Sequence, residues 1–591
     1  MIVPAIRKAV CLETYIVEFN VEHAPRVISV YKCFRSCKTA IDPYIGLAPG
    51  AAGSPESPSV SLFDRLQDLW RSLALVPPAP PRCHFFIPDE VERLYRLDGA
   101  AGIDDQTWND LLLESYEEKL APQASIFARQ VLHRRLRAGI DDAACVAQRA
   151  RLQALMDDPA RLDAIDASLS ALRHADAEVA GLLFQDTAPT IPWWPRWLWL
   201  LPLALLLSLA ALATQPLGWM LTLAALAPLM ALQMRLHRPL EEWAAAIRAL
   251  HAQLRATSLL GGQGGQLLEP FVAARPRAER LHVRLARSLS LRMIPGALQY
   301  ADWFAAANVV YHFKTRRIVH AERAFLRECY LACANLEADV TLARHLAAME
   351  RWCWAERGDA RTLVLEGGVH PLMAQPVALS VTLQGKGAFV SGQNASGKST
   401  FLRMVGLNAI AARAFGFCYA TRACLPALPV RASMQNEDSL LGGESLYMAE
   451  LRRAKELLDV AGQPPGICLI DEVFRGTNHL ESVSAACAVL EQLSERDLVL
   501  VSSHNLVLAP LLRAQLAPFF IDTASGQPVL APGVLRNPNG IALLASQGFG
   551  PRIEERAAEV ARWLSSHLVE PAPPQSSSFR ALATSSQATA L

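Results

Sequence analysis

The 591 residues are 52% apolar and 19% charged, enough for roughly three or four domains with cores of their own. A formal net charge of +1 excludes a strong global field drawing the chain to nucleic acid or acidic lipid, although local basic patches remain open. The twelve cysteines form no C-x-x-C pair. Cys33/Cys37 and Cys329/Cys333 are four apart, a one-face helical spacing open to a metal site or, more simply, to ordinary reduced apolar thiols.

Residues 1–60 are poorly patterned. Arg7, Lys8, Glu13 and Glu18 interrupt any apolar run that could serve as a cleavable signal, and Leu47–Pro58 reads as a Gly/Pro/Ala/Ser linker. Residues 88–190 carry Leu and Ala at helical spacing and form the first part of an all-α core. Residues 239–355 resume that pattern, with Pro239 suited to a first helical turn and a second long helix from Ala321 to Arg351. Near Arg361 the texture changes to short β-like runs. Strands then alternate with helices through residues 361–565, which predicts an α/β domain with a mostly parallel sheet. The Pro/Ser-rich segment 570–591 reads as a disordered tail.

Between the two helical parts, residues 193–238 predict a two-helix transmembrane hairpin. No Asp, Glu, Lys or Arg occurs from Trp197 to Met234, and Thr214, Gln215, Pro216 and Gly218 break the run near its centre. Each half then spans roughly 26 Å as a helix, at the short end for a bilayer. Trp193, Trp194, Trp197 and Trp199 cluster at one end as interfacial aromatics do. Arg196, Arg235 and Arg238 flank the run while the turn has no cation, which places both long arms on the cytoplasmic side of the inner membrane. The alternative is a buried helical hairpin in a soluble domain.

The densest chemical signal is Gly392-Gln393-Asn394-Ala395-Ser396-Gly397-Lys398-Ser399, a complete G-x-x-x-x-G-K-[ST] loop, followed by Thr400. It follows the apolar strand Gly387–Ser391 and opens a helix, the setting a phosphate-binding loop needs. Its backbone N–H groups and Lys398 would hold phosphates, and the Ser399 hydroxyl would ligate Mg²⁺. Ile467–Ile470 is an apolar strand ending in Asp471 and Glu472. Asp471 can hold Mg²⁺, usually through water, and Glu472 can orient or deprotonate an attacking water; solvated carboxylates are the bland alternative. Val499–Ser503 delivers His504, either a γ-phosphate sensor or a structural histidine. Gly442-Gly443-Glu444-Ser445 heads a helix and forms an anion site suited to the ATP of a second subunit, or a plain cap.

These motifs together resemble the MutS family of mismatch-repair ATPases. Ser445-Leu446-Tyr447-Met448-Ala449-Glu450 is similar to the family's S-T-F-M-x-E signature, and Asp471–Asn478 to its D-E-x-x-R-G-T-S run. Ser503-His504 resembles its T-H, Gly368–Pro371 its G-R-H-P, and Gly540–Ala545 its Y-G-L-x-V-A. Upstream, Asp105–Leu111 resembles the opening of the helical core in short MutS-like chains. The resemblance implies an ABC-type ATPase with ATP and Mg²⁺ as cofactors and two composite sites in a homodimer. Lys398, Ser399, Asp471, Glu472 and His504 would act in cis, with Ser445 and Glu450 in the trans signature. Hydrolysis would toggle the dimer between open and closed states.

DNA, mismatched or structured, enters as a partner by this resemblance alone; a switch acting on a membrane or protein partner is the alternative. No segment fits the family's mismatch-reading domain or its Phe-x-Glu wedge, and the hairpin is foreign to repair proteins. The basic run Lys314, Arg316, Arg317 beside Tyr311 and Phe313 suits either phosphate contacts or a solvated helix face.

Overall fold

The structure is a computed structural model that describes residues 86–185, 192–215, 217–287, 297–393, 396–434, 446–459, 464–474, 477–523, 527–535 and 548–567. The readings on residues 1–60, the 570–591 tail and Gly540–Ala545 fall outside that set.

The helical part opens with Pro88–Asp98 and continues through α1 (Asp105–Asp110), α2 (Leu113–Leu120) and α3 (Ile126–Ala138). Asp104 caps α1 by accepting from Thr107 N at 2.8 Å. After the central segment come α4 (Leu200–Thr214) and α5 (Gly218–Gln263), then α6 (Ala297–Phe304), α7 (Ala307–Ala321) and α8 (Arg323–Ala347). Cys329 and Cys333 lie buried on α8, and the Cys333 thiol sits 3.4 Å from Thr257 Oγ1 of α5.

The helix α5 differs from the sequence expectation. It runs unbroken through Pro228 and Pro239, where a new helix start had been expected. An interior proline costs about 3 kcal/mol, chiefly one lost backbone bond and a clash with the preceding turn. Beyond Pro239, the buried side chains Ile247, Leu250, Leu254 and Leu260 anchor the helix in the main core, and their burial outweighs that cost. The 46 residues therefore form one rod of roughly 69 Å. Its apolar upper half pairs with α4; the helical stretch Trp194–Thr214 that includes α4, and the rod itself, are apolar and long enough to cross a membrane by length and composition. Few of their apolar side chains are buried: Leu206, Leu207, Leu221 and Leu223 are all exposed.

Among the described residues the α/β part contains two main sheets and a two-stranded antiparallel pair, Cys353–Trp354 with Phe417–Cys418. The smaller joins Glu356–Arg357, β1 (Thr362–Gly368), β2 (Leu379–Gln384) and β4 (Arg422–Leu425); β1 runs antiparallel to both β2 and β4. The larger holds β3 (Gly387–Gly392), β5 (Val430–Ser433), β6 (Ile467–Asp471), β7 (Leu498–Ser502), β8 (Leu516–Asp522) and β9 (Val529–Pro532) in the order β9-β8-β3-β7-β6-β5. All its neighbours are parallel except the edge pair β8/β9. The mostly parallel sheet expected from the strand–helix alternation is present; the smaller, largely antiparallel one was not foreseen. Strand β3 is buried along its whole length, as a central parallel strand covered on both faces should be.

Helices α9 (Lys398–Phe415), α10 (Leu446–Leu458) and α11 (His479–Arg496) connect these strands. The apolar surface of α9 is buried all round because the sheet lies on one side and the helical part on the other. Gly406 makes that fit possible. A Cβ there would come within 2.6 Å of Leu469 on β6 and 2.8 Å of Leu111 beside α1. One continuous apolar core runs from Leu94 through α9 to Ile521, so the helical part and the sheet share a packed interface, unlike beads on a linker.

Candidate nucleotide site

Register decides what meets at the ends of the central strands. Ser502 of β7 aligns with Val390 of β3 on one side and with Asp471 of β6 on the other. The start of the glycine loop, Asp471 and Ser502 therefore lie level at the carboxyl edge of the sheet, where α/β folds place their ligands. The Ser502 hydroxyl donates to Asp471 Oδ1 and fixes that carboxylate.

The next residue turns sharply. Glu472 has φ 56°, a left-handed conformation costing about 1–2 kcal/mol for a residue with a Cβ, and its N–H donates to Ser502 O at 2.9 Å. The turn aims the Glu472 side chain at His504, whose Nε2 lies 2.7 Å from Glu472 Oε1. The expected base and the expected sensor are thus one hydrogen-bonded pair.

Lys398 opens α9, and Gly397 before it has φ 93°, accessible to glycine without strain. The Lys398 ammonium donates to Gly392 O at 3.3 Å and Gln393 O at 3.1 Å, folded back over its own loop. Burial lowers its pKa, and the nearby carboxylates of Glu472 and Asp471 oppose that shift. Ser396 is buried and its Oγ has no hydrogen-bond partner among the described residues, while a Cβ on Gly392 would sit 2.6 Å from that oxygen. Ser399 and Thr400 are half-buried in the first turn of α9. An orphaned hydroxyl, a cradle with no room for a Cβ, an ammonium and a carboxylate at a helix N-terminus fit a Mg²⁺-bound phosphate chain. Asn394 and Ala395, the remaining loop residues, lie outside the described set.

The trans signature divides. Ser445 lies outside the described residues, as do Gly442, Gly443 and Glu444. Glu450 is buried inside its own subunit, in a small pocket it lines with Ser433, Glu472 and Phe474. Within the single chain the Glu450 carboxylate is thus enclosed next to Glu472 and Phe474. Tyr447 packs edge-on against Phe474, tying α10 to the segment after Glu472.

The sequence reading missed the joint behind the site. Arg453 of α10 donates to Ala432 O at 2.6 Å, Thr107 Oγ1 at 3.2 Å and Asp104 Oδ1 at 3.1 Å. Ala432 N donates back to Thr107 Oγ1 and Met434 N to Asp110 Oδ2, at 2.9 and 2.8 Å. Arg403 of α9 reaches Asp110 O at 2.8 Å. The segment Asp105–Leu111, noted only for its resemblance, is the clasp that holds β5, α9 and α10 to the helices. Its Asp and Thr residues were the available signal. A second link runs Tyr116–Tyr419–His345, with hydroxyl contacts of 2.8 and 2.9 Å. Burial holds His345 and His370 at pKa values of about 4, with Lys119 pushing both the same way and Arg403 adding to the effect at His370.

Residues 388–518 match the family model for MutS domain V. The chain is 29% identical over 273 residues to a DNA mismatch repair protein MutS of Dinoroseobacter shibae, covering 42% of this chain and 31% of that protein. It is 32% identical over 193 residues to the protein of that name from Thermosynechococcus vestitus, covering 31% and 22%. With a Thermus thermophilus protein of the same name it shares 28% over 253 residues, covering 41% and 31%. The matches span less than a third of these relatives' lengths.

Proposed function

Because the chain belongs to the MutS family through its domain V, we propose that it is an ATPase working as a dimeric, membrane-anchored conformational switch that acts on DNA. The observation carrying the ATPase reading is the meeting of Lys398, Asp471, Glu472 and His504 at one sheet edge. ATP with Mg²⁺ would supply the phosphoanhydride bond and the cation that polarises it. Ser399 and Asp471 would hold that cation, and Asp471 is already oriented by Ser502. Lys398 exchanges its two loop carbonyls for phosphate oxygens. Glu472 takes the proton of the attacking water, and His504, bonded to that carboxylate, reports the state of the γ-phosphate. Ser445 of a second subunit completes the site.

The coupling follows from α9. Its first turn carries Lys398 and Ser399, and its flank carries Arg403, bonded to the clasp at Asp110. A shift of the phosphate loop therefore reaches the helical part within two turns of helix. From there, α8 packs against α5, whose rod ends in the apolar hairpin. Exposed leucines on α4 and upper α5 support bilayer insertion over a buried soluble hairpin, and Arg196, Arg235 and Arg238 support a cytoplasmic ATPase. DNA is the ligand that the relatives' name indicates.

The test is the ATPase rate of the detergent-solubilised protein with and without duplex, mismatched and branched DNA at two salt concentrations. Salt-sensitive stimulation is expected. Active hydrolysis indifferent to every DNA would remove DNA from the reading and leave a switch acting on a membrane or protein partner.

A further inference from the structure

Beside the hairpin base lies a helix that the ATPase reading does not use. On α6, Tyr300, Trp303 and Phe304 fall at i, i+3 and i+4 and so share one face. They are 68%, 48% and 44% exposed, and the Tyr300 and Phe304 rings stack with centroids 6.2 Å apart. Three adjacent exposed aromatics on an eight-residue helix are an apolar surface without a partner among the described residues.

The other side of α6 is pinned. Asp302 is held by Arg287 through two bonds of 2.9 and 2.7 Å, and Asp302 O accepts from Gln233 of α5 at 2.6 Å. Gln233 also exchanges hydrogen bonds with Asn308, at 3.1 and 2.8 Å. Ala306, Val309 and Phe313 pack with Leu198, Leu205 and Leu229, and Trp194 meets Phe313 edge-on. Gln233 stands two residues before Arg235, where the uncharged run ends. The fold thus fixes α6 at the level where the hairpin passes from apolar to charged.

Around that level Trp193, Trp197 and Trp199 are also exposed, with the Arg196 guanidinium 5.8 and 5.7 Å from the first two rings. Arg196, Arg235 and Arg238 are exposed around the same end of the hairpin. The next carboxylates along α5, Glu241 and Glu242, lie roughly 9 Å further from the apolar half. An aromatic face continuous with an apolar hairpin and bordered by cations matches the acyl–headgroup boundary of an anionic membrane.

We propose that α6 is an in-plane membrane helix that inserts Tyr300, Trp303 and Phe304 into the cytoplasmic leaflet of an anionic bilayer beside the hairpin. This rests on the membrane reading above. With one face in the bilayer and the other side bonded to Gln233, α6 sets the angle at which the α5 rod leaves the membrane.

The test places the photoreactive residue p-benzoylphenylalanine singly at positions 303, 206 and 480 of the full chain, in vesicles of neutral lipid with and without anionic lipid. Leu206 reports the hairpin, and Leu480, exposed on α11, is the aqueous control. Lipid adducts at 303 and 206 but not 480 are expected, with the yield at 303 falling several-fold without anionic lipid and that at 206 unchanged. Adducts at 206 alone, or a protein–protein adduct at 303, would overturn the α6 proposal and leave the hairpin standing. No lipid adduct at either position would overturn the membrane reading and this one with it. An unchanged yield at 303 without anionic lipid would refute the anionic requirement.

Discussion

Replacing Arg453 with Met tests the clasp that ties the larger sheet to the helices. Methionine keeps the buried stem and removes the guanidinium, so packing changes little. The Arg453 side chain is 7% exposed, whereas its partners Asp104 and Glu456 are 40% and 53% exposed. Those carboxylates can turn to water, so the 3–5 kcal/mol cost of stripping a fully buried pair does not apply. What stays buried is the Ala432 carbonyl, which loses two charged donors, and Thr107 Oγ1, which loses one. A hydrogen bond to a charged group contributes about 1.5–3 kcal/mol, which sets the expected loss at about 2–3 kcal/mol. Hydrogen exchange read by mass spectrometry suits this local question because the Ala432 and Met434 amides donate directly into the clasp. Peptides covering 430–434 should exchange roughly 30- to 150-fold faster, while those covering β3 and β8 hold their protection. Unchanged protection at 430–434 would refute the clasp; an equal loss everywhere would show that Arg453 supports the whole domain instead.

Glu472→Gln should bind ATP, lose most of its turnover and trap a closed dimer by gel filtration; near-normal hydrolysis would remove Glu472 as the base. Lys398→Ala should weaken nucleotide binding in a fluorescent-ATP titration, and unchanged affinity would refute the loop assignment. Tyr419→Phe leaves the Tyr116 hydroxyl and His345 Nε2 without their shared partner, and should lower the thermal midpoint by a change worth about 1–3 kcal/mol. Acid sensitivity has a definite sign. His345 and His370, held near pKa 4 in the fold, take protons in the unfolded chain below about 6.5, so their contribution is complete above that pH and is lost on descent to 4. Glu337, pushed up to about 7 by burial, acts oppositely, its contribution falling as pH rises from the ordinary carboxylate value. Between about pH 4.5 and 6.5 these three sites leave a net one proton, or about 1.4 kcal/mol of stability gained per pH unit. His370→Asn should remove most of that slope in thermal melts, and an unchanged slope would exclude His370 as its source.

Local patterns carried much of the molecule. The strand, loop and helix around Gly392–Thr400 were legible because the residue types that build them are contiguous in the chain. The same holds for Asp471 and His504 at the ends of apolar strands, and for the long uncharged run from Trp197 to Met234. Other features depend on residues far apart in sequence. The Glu472–His504 bond needs the parallel register of β6 and β7. The burial of Glu450 needs α10 to pack against Phe474. The unbroken α5 survives Pro239 because its lower half is buried in a core that composition cannot reveal. Arg453 and Thr107 are separated by hundreds of residues, and nothing in either neighbourhood announces the other. Sequence by itself determined where the motif residues stand along the chain and how long the uncharged run is. Tertiary structure alone decided which groups touch, because hydrogen bonds and burial are fixed by distance in space rather than distance along the chain.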